Sequence, residues 1–458
     1  MAVQTLAFEK TIRTLLDEKK YQTIKDILVT MEPADIAAVF EDFGGDRMAL
    51  LFRLLPKETA AETFAELESE NQELLIRGFS DRELHEIVNE LYVDDAADLV
   101  DEMPANVVKR ILEQADPQMR REINEILRYP ENSAGSIMTT EYVSLRPGMT
   151  VAEAISRIRK TGVDKETIYT CYVTEGRRLL GTVSVKDLLL APDDDAPVSG
   201  IMDENVISVS TLTDQEVVAQ MLSRYNFLAL PVVDTDELMV GIVTFDDAMD
   251  VMEQETTEDI EKMAAILPSE KTYLRSNAWE IFRHRIPWLM LLMVSATFTG
   301  MIITGFESAL AAQVVLTAFI PMLMDTGGNS GSQASVTVIR ALSLGELEFR
   351  DLPKVLWKEG QTAILCGAAL ALLCFGKILL VDRLLLGNGD ITVLTAFVVC
   401  FTMAVTVLIA KLIGCTLPMC ARRLGFDPAV MASPFITTIV DALSLLVYFG
   451  IASALLFS

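Results

Sequence analysis

The stretch Ala429-Val-Met-Ala-Ser-Pro-Phe-Ile-Thr-Thr-Ile-Val-Asp441-Ala-Leu-Ser-Leu-Leu-Val-Tyr-Phe-Gly-Ile-Ala-Ser-Ala-Leu-Leu456 decides the class of this chain. A bilayer-spanning helix needs roughly 20 predominantly apolar residues, and this run is longer. Its one ionisable side chain, Asp441, costs about 2.5–3.5 kcal/mol at the middle of such a helix on insertion scales, so the carboxylate should face a polar path. Ser433, Thr437, Asp441 and Ser444 follow at steps of four, four and three and share one helical stripe. Leu443, Leu445, Leu446, Val447 and Phe449 largely fill the rest. Pro434 falls in the first turn of that stripe, where a freed carbonyl can line a cavity. Two readings of Asp441 stand: a carboxylate marking an ion path, or one that hydrogen-bonds a neighbouring helix.

Four further apolar runs precede it, at about Ile286–Phe306, Ala309–Leu342, Thr362–Val381 and Ile391–Leu417, so a membrane domain of five spans is expected. Arg283 and Arg285 precede the first span, Arg340, Arg350, Lys354 and Lys358 follow the second, and Arg422 and Arg423 follow the fourth. This bias puts the N-terminal region in the cytoplasm and the C-terminus outside. Lys411, near the inner end of the fourth span, is expected to snorkel. The second span repeats the oddity of the last. Asp325, Asn329 and Ser332 lie on one stripe within Pro321-Met-Leu-Met-Asp-Thr-Gly-Gly-Asn-Ser-Gly-Ser-Gln333. Its amides and hydroxyls offer oxygen ligands, and its glycines permit either close helix packing or local unwinding.

Before Leu267 the composition changes. The chain has 458 residues and a formal charge of -27, from 65 acidic and 38 basic side chains, with the acids crowded into the N-terminal half. Such a balance excludes nucleic acid as a partner and suggests a cation. Five of the six cysteines (Cys366, Cys374, Cys400, Cys415, Cys420) lie in apolar runs without zinc-type spacing and read as packing residues. No charged segment followed by an apolar run opens the chain, so no cleaved signal is visible.

Residues 1–130 read as an all-α superhelical domain. Apolar residues recur at helical spacing, and Pro33, Pro56, Ser80, Pro104 and Pro117 mark short helices. Asp94, Asp98 and Asp101 make an acidic face there, with Asp95 beside it. Residues 136–254 hold a duplicated α/β unit. Ile137-Met138 recurs as Ile201-Met202, and Gly181-Thr182-Val183 as Gly241-Ile242-Val243. In each copy a β-rich run (Tyr169 to Val173; Leu228 to Val233) precedes the glycine-bearing strand. The pair resembles tandem cystathionine-β-synthase-type (CBS) repeats, which bind adenine nucleotides or pair subunits. The helix starts Ser184-Val185-Lys186-Asp187 and Thr244-Phe245-Asp246-Asp247 carry that family's signature, a hydroxyl for phosphate and a carboxylate for ribose. Lys186 favours phosphate at the first copy, whereas Asp246 disfavours it at the second. The candidate nucleotide site is therefore Ser184, Lys186 and Asp187 with Tyr169 and Phe227; the alternative is that both signatures are plain helix caps.

An acidic connector, residues 246–280, joins these repeats to the membrane domain, 281–458. Asp247, Asp250, Glu258 and Glu261 share one helical face of it. Tyr273, Trp279, Phe282, Arg283 and Arg285 then suit a membrane interface.

Taken together, the order of acidic helical domain, two CBS repeats, connecting helix and five spans resembles the MgtE-type magnesium channels. Gly327-Gly328-Asn329-Ser330-Gly331-Ser332-Gln333 and Ser433-Pro434-Phe435 through Asp441 are similar to that family's pore motifs. The resemblance implies a homodimer in the cytoplasmic membrane, with Asp441, Ser433, Thr437, Asn329 and Ser332 lining a pore between two copies of the fifth span. It also implies closure by cytoplasmic Mg2+ at Asp94, Asp95, Asp98, Asp246, Asp247, Asp250, Glu258 and Asp259, with ATP as a candidate regulatory ligand. Some members carry Asn where this chain has Ser332 and Ser433, and Asp where it has Asn226. Magnesium dehydrates reluctantly, and an oxygen-lined path holding the hydrated ion fits that chemistry, although Mn2+, Co2+ and Ni2+ could use it too. A secondary exchanger and a membrane-anchored nucleotide sensor are the alternatives. No nucleophile–base constellation or phosphate loop points to an enzyme.

Overall fold

The N-terminal region forms ten helices: α1 (Ala2–Asp17), α2 (Tyr21–Leu28), α3 (Pro33–Phe40), α4 (Gly45–Phe52), α5 (Lys57–Ala65), α6 (Ser69–Gly78), α7 (Asp81–Val88), α8 (Val93–Glu102), α9 (Ala105–Gln114) and α10 (Pro117–Ile126). The computed structural model describes residues 2–456 except 42, 270–272, 274, 275 and 432, and excludes the side chains of 2–7, 164, 309, 312 and 433. The helices are short because starts and stops recur every ten residues or so. Pro33 and Pro117 occupy the first turns of α3 and α10, where a missing N–H costs nothing. Ser80 caps α7 reciprocally with Glu83. Helices α3, α5, α7 and α9 pack in a row, as do α4 with α6 and α8 with α10, giving a superhelix. Phe52, Phe64 and Phe79 form its aromatic centre, with ring centroids 5.2 to 6.3 Å apart.

Two three-stranded sheets follow. In the first, β1 (Tyr142–Leu145) runs parallel to β2 (Thr167–Glu175), which pairs antiparallel with β3 (Arg178–Ser184). In the second, β4 (Val209–Ser210), β5 (Ala229–Val233) and β6 (Met239–Thr244) repeat this order. Helix α11 (Val151–Thr161) connects β1 to β2, α12 (Val185–Leu189) follows β3, and α13 (Gln215–Tyr225) connects β4 to β5. The duplicated motifs interlock across the two copies. Thr139 exchanges backbone hydrogen bonds with Ile242 (2.8 and 2.9 Å), and Asp203 with Thr182 (2.8 and 3.0 Å). A methyl group on Gly241 would come within 2.8 Å of the Met138 sulfur, and one on Gly181 within 2.8 Å of the Met202 sulfur. Each Ile-Met segment thus covers the glycine of the other copy's strand, which explains why both motifs occur twice.

Helix α14 (Phe245–Met263) is one continuous helix. The chain divides within it into two compact units, Met1–Met252 and Glu253–Ser458. The second unit contains α15 (Ala278–Gly305), α16 (Glu307–Ala312), α17 (Ile320–Ser343), α18 (Leu352–Lys377), α19 (Val393–Arg423) and α20 (Ser433–Leu456). Helices α17, α18 and α20 all pack on α19, and α15 lies along α20. Helix α18 runs on as a π-helix over Ile378–Leu385. The core gathers Leu316, Phe319, Leu323, Met403, Leu445, Tyr448 and Phe449, and the Tyr448 hydroxyl donates to the Leu316 carbonyl at 3.0 Å.

One expectation is met for four of its five members, and one needs correction. Among the described residues four helices are long and apolar enough to cross a membrane: Ala278–Gly305, Phe349–Leu385, Val393–Arg423 and Pro428–Leu456. The expected second span, Ala309–Leu342, is divided into α16, a 3-10 segment at Val314–Phe319, and α17. At 1.5 Å per residue α17 is about 36 Å long, enough to span, but its polar stripe makes it too hydrophilic to qualify by composition. Lys411 does not snorkel. It is buried, and its ammonium pairs with Glu359 of α18 at 3.4 Å.

Candidate functional site

Asp441 sits on α20 between a buried face and an open one. Ile436, Val440, Ser444, Leu445 and Tyr448 are buried, whereas Asp441 is half-buried. Its Oδ1 is shut off from solvent and has no hydrogen-bond partner among the described residues. Such an unpartnered oxygen is costly to bury and is satisfied by a cation, a proton or water. Asn329 donates to Asp325 Oδ1 at 3.1 Å, and both side chains are exposed on the bundle. Ser332 and Thr437 are half-buried, while the side chain of Ser433 lies outside the described residues. Ser444, from the same stripe, turns inward and donates to the Val440 carbonyl at 2.6 Å. Pro434 lies in the first turn of α20, and its carbonyl accepts the Thr438 hydroxyl at 3.0 Å.

The glycines of α17 serve close packing. No unwinding occurs, because the helix is continuous through them. A methyl group at Gly327 would come within 2.8 Å of Thr406 and 2.9 Å of Ser444, one at Gly328 within 2.8 Å of Thr437, and one at Gly331 within 2.9 Å of Ile436. The backbones of α17, α19 and α20 therefore approach more closely than any side chain permits. Gly414 on α19 completes the contact against the Gly331 carbonyl.

The second constellation joins α8 to the start of α14. Asp94 is buried at 7 % exposure, and its Oδ1 has no partner among the described residues; Glu166, just before β2, leaves its Oε2 in the same state. Burial, then Asp247 and Asp246, pushes Asp95 up to about 7. Burial followed by Asp247, Asp246 and Asp95 pushes Glu166 up to about 8. Asp94 is raised well above the carboxylate range by burial and then by Asp247. Asp247, itself pushed up to about 6 mainly by burial, also accepts the Thr244 hydroxyl at the start of α14. Asp98 is open to solvent along one edge and crowded by protein on the other. Desolvation first, then Glu102 and Asp247, pushes it up to about 7. Asp246 and Asp250 are exposed, and burial, Asp250 and Asp246 raise Glu66. The expected single face of Asp94, Asp98 and Asp101 is split, with Asp94 inside and the others outside. Glu66, Glu141 and Glu166 were missed by sequence reasoning. They come from distant segments and share no spacing with the aspartates. Glu141 accepts the Val93 N–H at 3.2 Å, satisfying an orphan donor of α8.

Asp94, Asp95, Asp247 and Glu166 have no ion-pair partner among the described residues, so either protons or a cation must relieve their repulsion. No three acidic, His or Cys side chains among the described residues converge tightly enough to grip an ion directly. A cation here would be held through its waters, as magnesium commonly is.

In the second unit three of the connector's acids, Glu258, Asp259 and Glu261, have local partners. Lys262 bridges Glu258 (2.6 Å) and Asp427 (2.7 Å), and Ser343 donates to Asp259 at 3.0 Å. Glu261 accepts the Ser269 N–H at 2.9 Å. This half of α14 is docked on the loop before α20 and the end of α17.

At the CBS-type signatures, Ser184 donates to Asp187 at 2.5 Å and accepts from its N–H at 3.1 Å, a reciprocal helix cap. At the second copy the Asp247 carboxylate accepts from the Thr244 hydroxyl and, at 3.4 Å, from the Thr244 N–H. Lys186 and Asp187 remain exposed at the first copy beside Tyr169, which is 67 % exposed. Phe227 stacks on Tyr225 at 5.5 Å near the second copy, following Asn226, whose φ of 54° ends α13 in the left-handed region that Asn tolerates.

Membrane-length helices with a carboxylate on a tightly packed polar stripe, joined to acid-rich helices and paired α/β repeats, are the build of a cation transporter. Comparison with known proteins agrees. The family model for MgtE divalent cation transporters matches residues 320–451, that for the MgtE intracellular N domain residues 31–132, and that for CBS domains residues 134–194 and 198–254. Magnesium transporter MgtE of Thermus thermophilus is 37% identical over 451 residues, covering 97% of this chain and 98% of that protein. Magnesium transporter MgtE of Bacillus subtilis is 33% identical over 460 residues, covering 100% of both. A crystal structure of the cytosolic domain of the Mg2+ channel MgtE in complex with ATP is 38% identical, with a TM-score of 0.51, and covers 53% of this chain and 99% of that one. The chain belongs to the MgtE family of magnesium transporters, which are not enzymes.

Proposed function

We propose that the chain is a homodimeric magnesium channel of the cytoplasmic membrane, with its N-terminal region in the cytoplasm and its C-terminus outside. The observation that carries this reading is the buried, unpartnered Oδ1 of Asp441 on a polar stripe of a membrane-length helix. Asp325 and Asn329 lie exposed on α17, and polar groups at membrane depth need either a partner helix or water against them. A second copy facing this side, with α17 as a fifth span, supplies both. A hydrated Mg2+ then passes between paired Asp441 carboxylates, aided by Asn329, Ser332, Ser433 and Thr437.

Cytoplasmic Mg2+ closes this channel by neutralising Asp94, Asp95 and Asp98 against Asp246, Asp247 and Asp250, while Glu258 and Asp259 hold the far half of α14 on the membrane bundle. What supports this is the cluster of raised carboxyls on α8 and α14 and the continuity of α14 into the docked half. ATP at Tyr169, Ser184, Lys186, Asp187 and Phe227 tunes that response; the relative crystallised with ATP supports a nucleotide in this region. The test is magnesium flux into proteoliposomes. Asp441→Ala should leave a folded, membrane-inserted protein with flux at background, and normal flux through that variant would remove the pore assignment.

A further inference from the structure

An open cavity of about 910 Å3 lies at the end of the first sheet remote from the Ser184 signature. The ends of β1 and β2, the turn after each strand and the first two turns of α11 enclose it. From Tyr169 to Thr174 β2 advances five residues, roughly 17 Å, so the cavity is separate from the candidate nucleotide site. Two guanidiniums face it, Arg146 from the turn after β1 and Arg157 from α11, and neither has an ion-pair or hydrogen-bond partner among the described residues. In a chain with 65 acidic against 38 basic side chains, two such guanidiniums at one cavity call for a ligand. Glu153 stands one helical turn before Arg157, the spacing of a helical ion pair, yet its carboxylate is committed to the cap of α11, where it accepts the Thr150 N–H at 3.1 Å. The second α/β copy shows that the fold does not require these arginines. Counted from the caps Thr150 and Asp214, the positions of Arg146 and Arg157 fall on Ser210 and Met221.

The rest of the lining narrows the ligand. The Ser144 and Thr174 hydroxyls, on neighbouring strands, share one hydrogen bond at 2.8 Å, which leaves a hydroxyl hydrogen and acceptor lone pairs for another molecule. Glu175 adds a carboxylate that can only accept. No aromatic ring is among the described lining residues, so a nucleobase has nothing to stack on. We propose that this cavity binds a sugar phosphate or phosphorylated polyol, with Arg146 and Arg157 on the phosphate and Ser144, Thr174 and Glu175 on the hydroxyls. Planar guanidiniums suit phosphate because they bind two of its oxygens at once. The volume lies within the range of small-molecule sites, about 300–1,000 Å3, and is far larger than a bare phosphate needs.

The test is isothermal titration of the full-length chain in detergent micelles with divalent cations chelated. Glucose 6-phosphate, ribose 5-phosphate and glycerol 3-phosphate are the probes, and inorganic phosphate is the control. At least one ester should bind at one site per chain and about tenfold more tightly than inorganic phosphate, because its hydroxyls add contacts. R146Q/R157Q should weaken that ester by about tenfold or more, since charge-assisted contacts are lost, and each single variant should weaken it by less. Lys186→Gln, at the separate signature, should leave it unchanged. Absence of heat from every ester at millimolar concentration would overturn the proposal, as would inorganic phosphate binding as tightly as the esters. So would undiminished binding by both single variants, whose exposed side chains can be changed without touching the core, whatever the folding of the double variant.

Discussion

Gly414 shows how little room separates the helices around the path. Its missing side chain lets α19 meet the Gly331 carbonyl of α17, so Gly414→Ala pushes two backbones apart. Overpacking of this kind costs about 1–3 kcal/mol. The variant should melt at a lower temperature in detergent and transport less magnesium, whereas Gly450→Ala, which has open space around it, should do neither. The Lys411–Glu359 pair makes a complementary case. Removing one partner of a buried pair costs roughly 3–5 kcal/mol because the other charge is stranded, while replacing both with apolar residues is often close to neutral. Lys411→Met should therefore fold poorly, and Glu359→Leu with Lys411→Met should recover most of the lost stability; equal loss in single and double variants would contradict the pairing.

The connecting helix is the element whose two halves behave differently. From Glu253 onward, Glu258, Asp259 and Glu261 are held by Lys262, Ser343 and a backbone N–H, and Lys262 reaches both Glu258 and Asp427. These groups are about a fifth to a third exposed, which limits the pair to roughly 1 kcal/mol. Lys262→Ala should accordingly loosen residues 253–263 without unfolding the bundle. Amide hydrogen exchange should speed up there and stay unchanged in α19.

At the scale of the whole molecule, the acid cluster couples stability to pH. Asp95, Asp247 and Glu166 bind protons more tightly folded than unfolded, where such carboxyls titrate near about 4. Their contribution is thus fully present below about pH 4, shrinks as pH rises, and is lost by about pH 8, the folded value of Glu166. Thermal unfolding of a fragment spanning residues 1–263 without divalent cations should show this decline. Millimolar Mg2+ should restore more stability at pH 8 than at pH 5, since only ionised carboxylates attract it. An equal effect at both pH values would mean that the cluster does not hold the ion.

The sequence by itself determined the succession of domains, the membrane-length runs, the carboxylate in the last of them and the duplicated α/β unit. All of these are written in local periodicity and composition, which physics reads one helix or strand at a time. It did not determine what the duplicated motifs were for, because Met138 covering Gly241 and Met202 covering Gly181 is a contact between copies. Nor did it separate packing from ligation among the α17 glycines, or reveal that Lys411 is paired rather than surfaced. Asp94, Asp247 and Glu166 come from three distant segments, and only folding brings them close enough to repel. Tertiary structure decided these matters because burial and charge coupling depend on distance in space, which spacing along a chain does not encode.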